Sequence, residues 1–95
     1  MERFKVAHIR EQGQDIIIVL VANSFGFKGN TEQNQLRNAL QVCASAAGLA
    51  GTVVPVWDAG GGRMGFLAPT QWQSCFSGMT LPFVASNINR ELTCG

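Results

Sequence analysis

Charged residues are scarce in this chain: lysine, arginine, aspartate and glutamate make up 14% of its 95 residues, against about 25% in ordinary soluble proteins. The seven cations are scattered and six acids offset them, which leaves a formal net charge of +1. The sequence has no basic stripe of the kind that neutralises a phosphate backbone, so we expect no nucleic-acid partner. With so little charge, electrostatic repulsion between copies of the protein is weak. We therefore expect part of the apolar surface to be buried against a partner.

Long apolar runs are also missing from the sequence. The longest uninterrupted one, residues 16–22, is far shorter than a membrane helix of about 20 residues. The N-terminus opens on Met-Glu-Arg-Phe-Lys, without the apolar segment of a signal peptide. We therefore expect a cytoplasmic protein with no membrane partner. Cys43, Cys75 and Cys94 are odd in number and far apart, which favours reduced thiols over a disulfide framework.

Apolar residues, in contrast, make up 46% of the chain, which at this length is enough for one hydrophobic core and no more. We therefore expect a single domain over residues 1–95, with no repeat or linker dividing it. Residues 4–9 mix β-branched and aromatic side chains with charge, and residues 15–21 form an aliphatic segment after a glycine-containing turn. These two segments predict a β-hairpin.

A long helix is predicted after this hairpin. Asn30 followed by Gln33 has the spacing of a capping box, which places the start of the helix at Asn30. Apolar residues then recur at the helical interval as far as Ala50, and many are small enough to allow close packing on a sheet. Gly51 is expected to end the helix, with Gly48 as an earlier alternative.

Two further extended segments, residues 52–58 and 63–68, flank the glycine-rich stretch 59–62 and predict a second hairpin. Pro55 lies in the first of them and cannot donate to a strand ladder on that side, so we place this strand at a sheet edge. The order that satisfies this constraint is 1-2-4-3 in an antiparallel sheet. A parallel order, 1-2-3-4, is disfavoured because it would put Pro55 in the middle.

The C-terminal third is predicted to contain a short helix and one more extended segment. Thr70 with Gln73 has the spacing of a second capping box and predicts a short helix ended by Gly78. Residues 81–85 suggest a fifth strand at an edge, whereas residues 86–95 show too weak a pattern to interpret. The expected fold class is therefore α+β, ββαββα(β), with a four- or five-stranded antiparallel sheet, one long helix on one face and a short C-terminal helix.

The second strand is apolar on both sides. Alternate residues of a strand point to opposite faces of the sheet, and positions 16 to 21 are all aliphatic. One long helix covers one face, and leaving three aliphatic side chains in water on the other would forgo several kcal/mol at about 25 cal/mol per Å². Either the C-terminal third or a second copy of the chain must cover that face. A two-fold dimer is the commonest closed form in the second case.

The loop before the long helix is the first candidate binding site. It leads from the second strand to a helix N-terminus, where backbone amides, a cation and two aromatic rings could hold a small anionic or planar ligand. Glu32 counts against an anion, and the alternative is a packed loop with both rings in a core or interface. The candidate ligand-binding residues are Phe25, Phe27, Lys28, Asn30 and Thr31, together with His8.

Three large aromatic residues, Trp57, Phe66 and Trp72, are candidates for an apolar interface, although such residues complete a core equally well. His8 is more simply interpreted as a hydrogen-bonded structural histidine than as a catalytic one. The glycine run after Trp57 joins strand to strand and therefore predicts a hairpin turn, not a phosphate loop. His8 and the cysteines lack the spacing of zinc ligands. We expect neither a metal nor a cofactor.

The leading hypothesis is a non-enzymatic, self-associating binding module. It would act as a homodimer through apolar sheet surface, with a protein or small molecule as a further partner. The alternative is a small-molecule or anion-binding protein, or an enzyme, that uses the loop at residues 24–32. The sequence contains no nucleophile-elbow, P-loop or zincin pattern. It assigns no catalytic residue and leaves open whether the protein is an enzyme.

Overall fold

The computed structural model describes residues 2–11 and 13–94, in which five strands form one sheet. The strands are β1 (Glu2–Glu11), β2 (Gln14–Leu20), β3 (Thr52–Gly60), β4 (Arg63–Phe66) and β5 (Arg90–Cys94). The helices are α1 (Asn30–Ala46), α2 (Gln73–Ser77) and α3 (Leu81–Ser86), and 3-10 turns lie at Asn23–Phe27 and Thr70–Trp72. The predicted α+β class is confirmed.

The strands lie in the order β4-β3-β2-β1-β5. β1 and β2 form one predicted hairpin and β3 and β4 the other, and β5 pairs antiparallel with β1. β2 and β3 are parallel and adjacent, and α1 provides the long crossover that parallel neighbours require. The sheet is therefore mixed, so the predicted antiparallel sheet and the order 1-2-4-3 are wrong.

Pro55 explains why the strand order was mispredicted. It lies in β3 opposite Val19 of β2, in the interior of the sheet. Its carbonyl faces the β4 side, where it accepts a hydrogen bond from the Leu67 amide (3.0 Å), and a strand residue's N–H points to the same side as its carbonyl. The paired residues of β3 and β4 end at Val56 and Phe66. The missing N–H therefore falls at the end of a ladder, where it costs at most one hydrogen bond.

Helix α1 begins at Asn30, as predicted, but without the predicted capping box. Gly29 occupies the N-cap position, and Gln33 donates its side-chain amide to the Phe25 carbonyl (3.0 Å) instead of to the helix start. The helix ends before Gly48, which has a φ of 83°. A glycine in this left-handed conformation is a common helix terminator, so the earlier of the two predicted ends is the observed one.

The predicted short helix is present as the 3-10 turn at Thr70–Trp72 followed by α2, and Gly78 lies at its C-cap. Pro69 occupies the N-cap position of the 3-10 turn. The capping box predicted from Thr70 and Gln73 is therefore wrong. The proline has a fixed φ and no side-chain acceptor, so this turn has no side-chain cap.

The fifth strand is not where the sequence suggested. Residues 81–85 belong to α3, whose first turn is capped by Thr80: the Phe83 amide donates to its hydroxyl oxygen (3.3 Å). A capping threonine followed by a proline in the first turn is a helix-start pattern, which outweighed the apolar run. The fifth strand is instead β5, which lies in the segment whose sequence pattern was too weak to interpret. Its strand conformation comes from pairing with β1 and not from local sequence.

Both faces of the sheet are covered within the described chain. On one face α1 packs over a cluster formed by Val6, Ile17, Val19, Leu40, Ala44, Val53 and Leu92. On the other, the segment from the second 3-10 turn through α3 covers Ala7, Ile16, Ile18, Val54 and Val56 with Trp72, Phe76 and Val84. Of the two alternatives left open by the sequence, the C-terminal third covers the second face.

A disulfide joins Cys43 of α1 to Cys94 of β5, with the two Cα atoms 5.9 Å apart. Cys75 is free. The prediction of reduced thiols is therefore wrong for two of the three cysteines. Their separation of 51 residues carried no signal, because the crossing of α1 over the sheet edge brings them together. None of the helices in residues 2–11 and 13–94 is long and apolar enough to cross a membrane.

Candidate functional site

A groove runs along one side of α1, on the face of the sheet that this helix covers, and its volume is about 910 Å³. Small-molecule sites occupy roughly 300–1,000 Å³, so the groove is large enough for such a ligand. The helix wall consists of Leu36, Ala39, Leu40, Val42, Cys43, Ala46 and Ala47. The floor and the opposite side come from Glu2 and Phe4 of β1, Val21 and Ala22 after β2, and Thr93 and Cys94 of β5.

The groove exists because the apolar surface of α1 is wider than the area that the sheet covers. In this helix Leu40 and Ala44 are buried, while Leu36 keeps 39% and Val42 70% of its surface exposed. Ala39 is too short to fill the space beside the helix. A band of apolar surface about three turns long therefore remains open to solvent next to the β1–β5 side of the sheet.

One end of the groove is formed by the loop that the sequence singled out. Phe25 and Lys28 both line it. Phe25 is buried against Trp57, with ring centroids 4.9 Å apart, and so forms a fixed end wall. The Lys28 Nζ atom is 2.9 Å from the Glu32 carboxylate. This half-exposed pair leaves little net charge at the groove end, as the position of Glu32 in the sequence suggested.

The other predicted ligand-binding residues lie outside the groove. Asn30 and Thr31 are exposed in the first turn of α1. Phe27 is 91% exposed and borders a separate, shallow cavity of about 220 Å³ that also includes Trp57. That cavity is below the usual size of a ligand site. The structure thus brings Phe25 and Lys28 together, but not the remaining residues of the loop.

The His8 ring contacts the chain beyond the end of α1 that lies farther from this loop. Its Nε2 atom is 2.9 Å from the Ala50 carbonyl, beyond the C-terminus of α1, whereas the loop precedes a helix that is about 25 Å long. The backbone N–H and carbonyl of His8 both bond to the Asn89 side chain (2.9 and 3.0 Å). His8 is thus hydrogen-bonded, and its structural role stays a prediction.

The three candidate interface residues pack inside the described chain. Trp57 is buried between Gly26 and Gly65, where a Cβ atom at either glycine would overlap the indole ring. Trp72 is buried in the core on the second sheet face. Phe66 is half-buried, with its ring centroid 5.6 Å from that of Phe76. Their part in any interface stays a prediction.

Reactive groups are few in the part of the chain that the structure describes. Burial raises the pKa of the Cys75 thiol, and the nearby negative charge of Glu11 raises it further. A raised pKa keeps the thiol protonated and unreactive near neutral pH. Within the described ranges no three histidine, cysteine, aspartate or glutamate side chains gather as metal ligands do.

The residues that sequence reasoning missed are those on the open side of the groove, chiefly Phe4, Val42 and the disulfide. Val42 falls outside the apolar stripe that marks the buried side of α1, and 70% of its surface is exposed. The available signal was the low charge of α1 as a whole. Comparison with protein-family models, curated proteins and solved structures gives no match.

Proposed function

We propose that this protein is a non-enzymatic binding protein that holds a small, uncharged apolar molecule in the groove beside α1. The observation that carries the proposal is the size and lining of the groove: its volume is about 910 Å³, and it is lined chiefly by aliphatic side chains, two phenylalanine rings and a disulfide. The proposal keeps the alternative hypothesis of a small-molecule site. It moves that site from the helix N-terminus to the side of the helix.

The charge of the lining favours a neutral ligand. Among the described lining residues, Glu2 and Lys28 are charged, and Lys28 is already paired with Glu32 at 2.9 Å. An anion would have to compete with that carboxylate for the lysine. Burying a charge without a partner is costly, so an apolar molecule gains most from this surface.

The arrangement also supports binding over catalysis. Ser24 and Thr93 line the groove, but a hydroxyl nucleophile needs a base within hydrogen-bond reach, and among the described residues neither hydroxyl is hydrogen-bonded to Glu2, the carboxylate of the lining. The one histidine of the sequence, His8, is bonded to the Ala50 carbonyl at the far end of α1. We therefore assign no reaction to these hydroxyls.

Fluorescence titration with the neutral probe N-phenylnaphthylamine tests the proposal. Ala39→Trp places a large side chain inside the groove and should weaken probe binding by at least about tenfold, the equivalent of about 1.4 kcal/mol. Ser45→Trp is the matched control, because Ser45 is an exposed position of the same helix that does not line the groove. Equal affinity in the two variants would refute the site.

A second titration tests the ligand class. The anionic probe anilinonaphthalene sulfonate should bind more weakly than the neutral probe of similar shape, because its sulfonate lacks a free partner. Circular dichroism of both variants and the parent protein shows whether each remains folded. Tighter binding of the anionic probe would contradict the assignment of an uncharged ligand and would favour the anion hypothesis.

Self-association is the second candidate function, favoured by the joint exposure of Leu36 and Val42 on α1. Because both faces of the sheet are covered within the described chain, a homodimer would use this helix face and not the sheet surface. Gel filtration with light scattering across a dilution series distinguishes the two candidates. A dimer that Val42→Glu dissociates would support the second.

The cytoplasmic location remains a prediction. It was not inferred from the cysteines, but the Cys43–Cys94 bond bears on it. Stable disulfides belong to oxidising compartments, whereas disulfides of the cytosol are mostly transient and redox-sensitive. A cytoplasmic location would therefore require a disulfide that is made and broken.

A further inference from the structure

We infer that the Cys43–Cys94 disulfide is a redox control of the groove, which binds its apolar ligand tightly when the bond is formed and weakly when it is reduced. The inference rests on the proposed function, because it concerns the same site. Both cysteines line the groove, Cys43 on the helix side and Cys94 on the strand side. Their bond is thus a covalent bridge between two walls of one cavity.

The rest of β5 is held by other contacts, so the bond acts mainly on the groove end of the strand. Immediately before β5, the Asn89 amide donates to the Val6 carbonyl (3.0 Å), and the Asn89 side chain bonds to both backbone groups of His8. Leu92 is buried in the core under α1. The last residues of the strand, Thr93 and Cys94, are held by their pairing with β1 and by the disulfide.

The bond is accessible to a reductant. Cys43 and Cys94 are each half-buried and border a groove that opens to solvent. A dithiol supplies the chemistry: one of its thiolates attacks a sulfur of the bond, and the other protein sulfur leaves and takes a proton. The second dithiol sulfur then displaces the first protein sulfur. The protein gains two thiols, and the dithiol loses two electrons and two protons as it becomes a disulfide.

Reduction weakens binding because the strand wall is no longer fixed to the helix. A ligand that enters the reduced groove must order Thr93 and Cys94 as it binds, and this ordering reduces its affinity. The converse follows from linkage: a ligand that prefers the oxidised protein must stabilise the disulfide by the same factor. A tenfold preference corresponds to a shift of about 30 mV in the two-electron reduction potential.

The test measures N-phenylnaphthylamine affinity of the oxidised protein and of the protein reduced with dithiothreitol. We expect at least about a tenfold loss on reduction, with far-UV circular dichroism unchanged. The double variant Cys43→Ser, Cys94→Ser should bind as weakly as the reduced protein and should not respond to reductant. Cys75→Ser is the matched control, because Cys75 packs against the core on the opposite sheet face; it should keep the full redox response.

The outcomes separate this inference from the proposed function. If the oxidised protein does not bind the probe, the proposed function itself fails. If oxidised and reduced proteins bind equally, the groove exists without redox control and the inference is wrong. If reduction abolishes both binding and the circular dichroism signal, the bond holds the whole fold and not the groove wall, which also overturns it. A redox titration with saturating probe should show the 30 mV shift, and its absence would contradict the linkage.

Discussion

Removal of the Cys43–Cys94 bond should lower the stability of the folded chain by about 4 kcal/mol. The bond closes a loop between residues 51 positions apart. The loss of chain entropy in the unfolded state for a loop of this length corresponds to about 4 kcal/mol at 25 °C. With an unfolding entropy of about 2.1 cal/mol/K per residue, a 95-residue chain should melt about 20 °C lower. Since domains have about 5–15 kcal/mol of stability, the reduced protein should remain folded at 25 °C.

Urea unfolding of the oxidised protein, the reduced protein and the double serine variant measures this difference. Oxidised protein unfolded without reductant should react with iodoacetamide at Cys75 alone, which mass spectrometry can establish. The double serine variant controls for other effects of the reductant, because its unfolding curve should not change when reductant is added. A difference below about 1 kcal/mol between oxidised and reduced protein would refute the entropic argument. Labelling of all three cysteines would show that the bond does not form.

Two further predictions concern the core and the free thiol. Gly65→Ala should lower the free energy of unfolding by about 1–3 kcal/mol through overlap with the Trp57 ring. The control is Gly78→Ala, where a Cβ atom meets open space and the backbone is in the right-handed helical region, and it should leave the urea midpoint nearly unchanged; similar midpoints for the two variants would contradict this packing. The pH–rate profile for alkylation of Cys75 should have its midpoint above that of an exposed cysteine, because burial raises its pKa. Glu11→Gln should lower that midpoint by removing a negative charge, and an increase would count against the assigned cause.

The local elements of this fold were largely readable from the sequence because their signals are local. A β-branched and aromatic segment, a glycine-containing turn and an aliphatic run predicted the hairpin of β1 and β2. The helical repeat from Asn30 predicted α1 with an end at Gly51 or, as the alternative, at Gly48, and Gly48 is the observed one. Where two local signals competed, the sequence was ambiguous. Residues 81–85 are apolar enough for a strand, but the hydroxyl of Thr80 caps a helix there, and helix-start chemistry decided the outcome.

The arrangement of the strands was predicted wrongly because Pro55 was taken to exclude β3 from the interior of the sheet. A proline excludes a strand from the middle of a sheet if its missing N–H faces a complete neighbouring strand. At Pro55 that neighbour, β4, ends one residue away. The length of β4 relative to β3 is a tertiary property, and the sequence around Pro55 does not contain it.

The sequence by itself determined the fold class, the position of the long helix and the need to cover two apolar faces of β2, because these follow from residue periodicity and composition. Tertiary structure alone decided that the C-terminal third covers the second face, that β2 and β3 are parallel, and that Cys43 meets Cys94. It also created the groove, since a cavity depends on how far α1 sits from β1 and β5. Distances between elements far apart in the chain follow from how the whole core packs, and no local pattern records them.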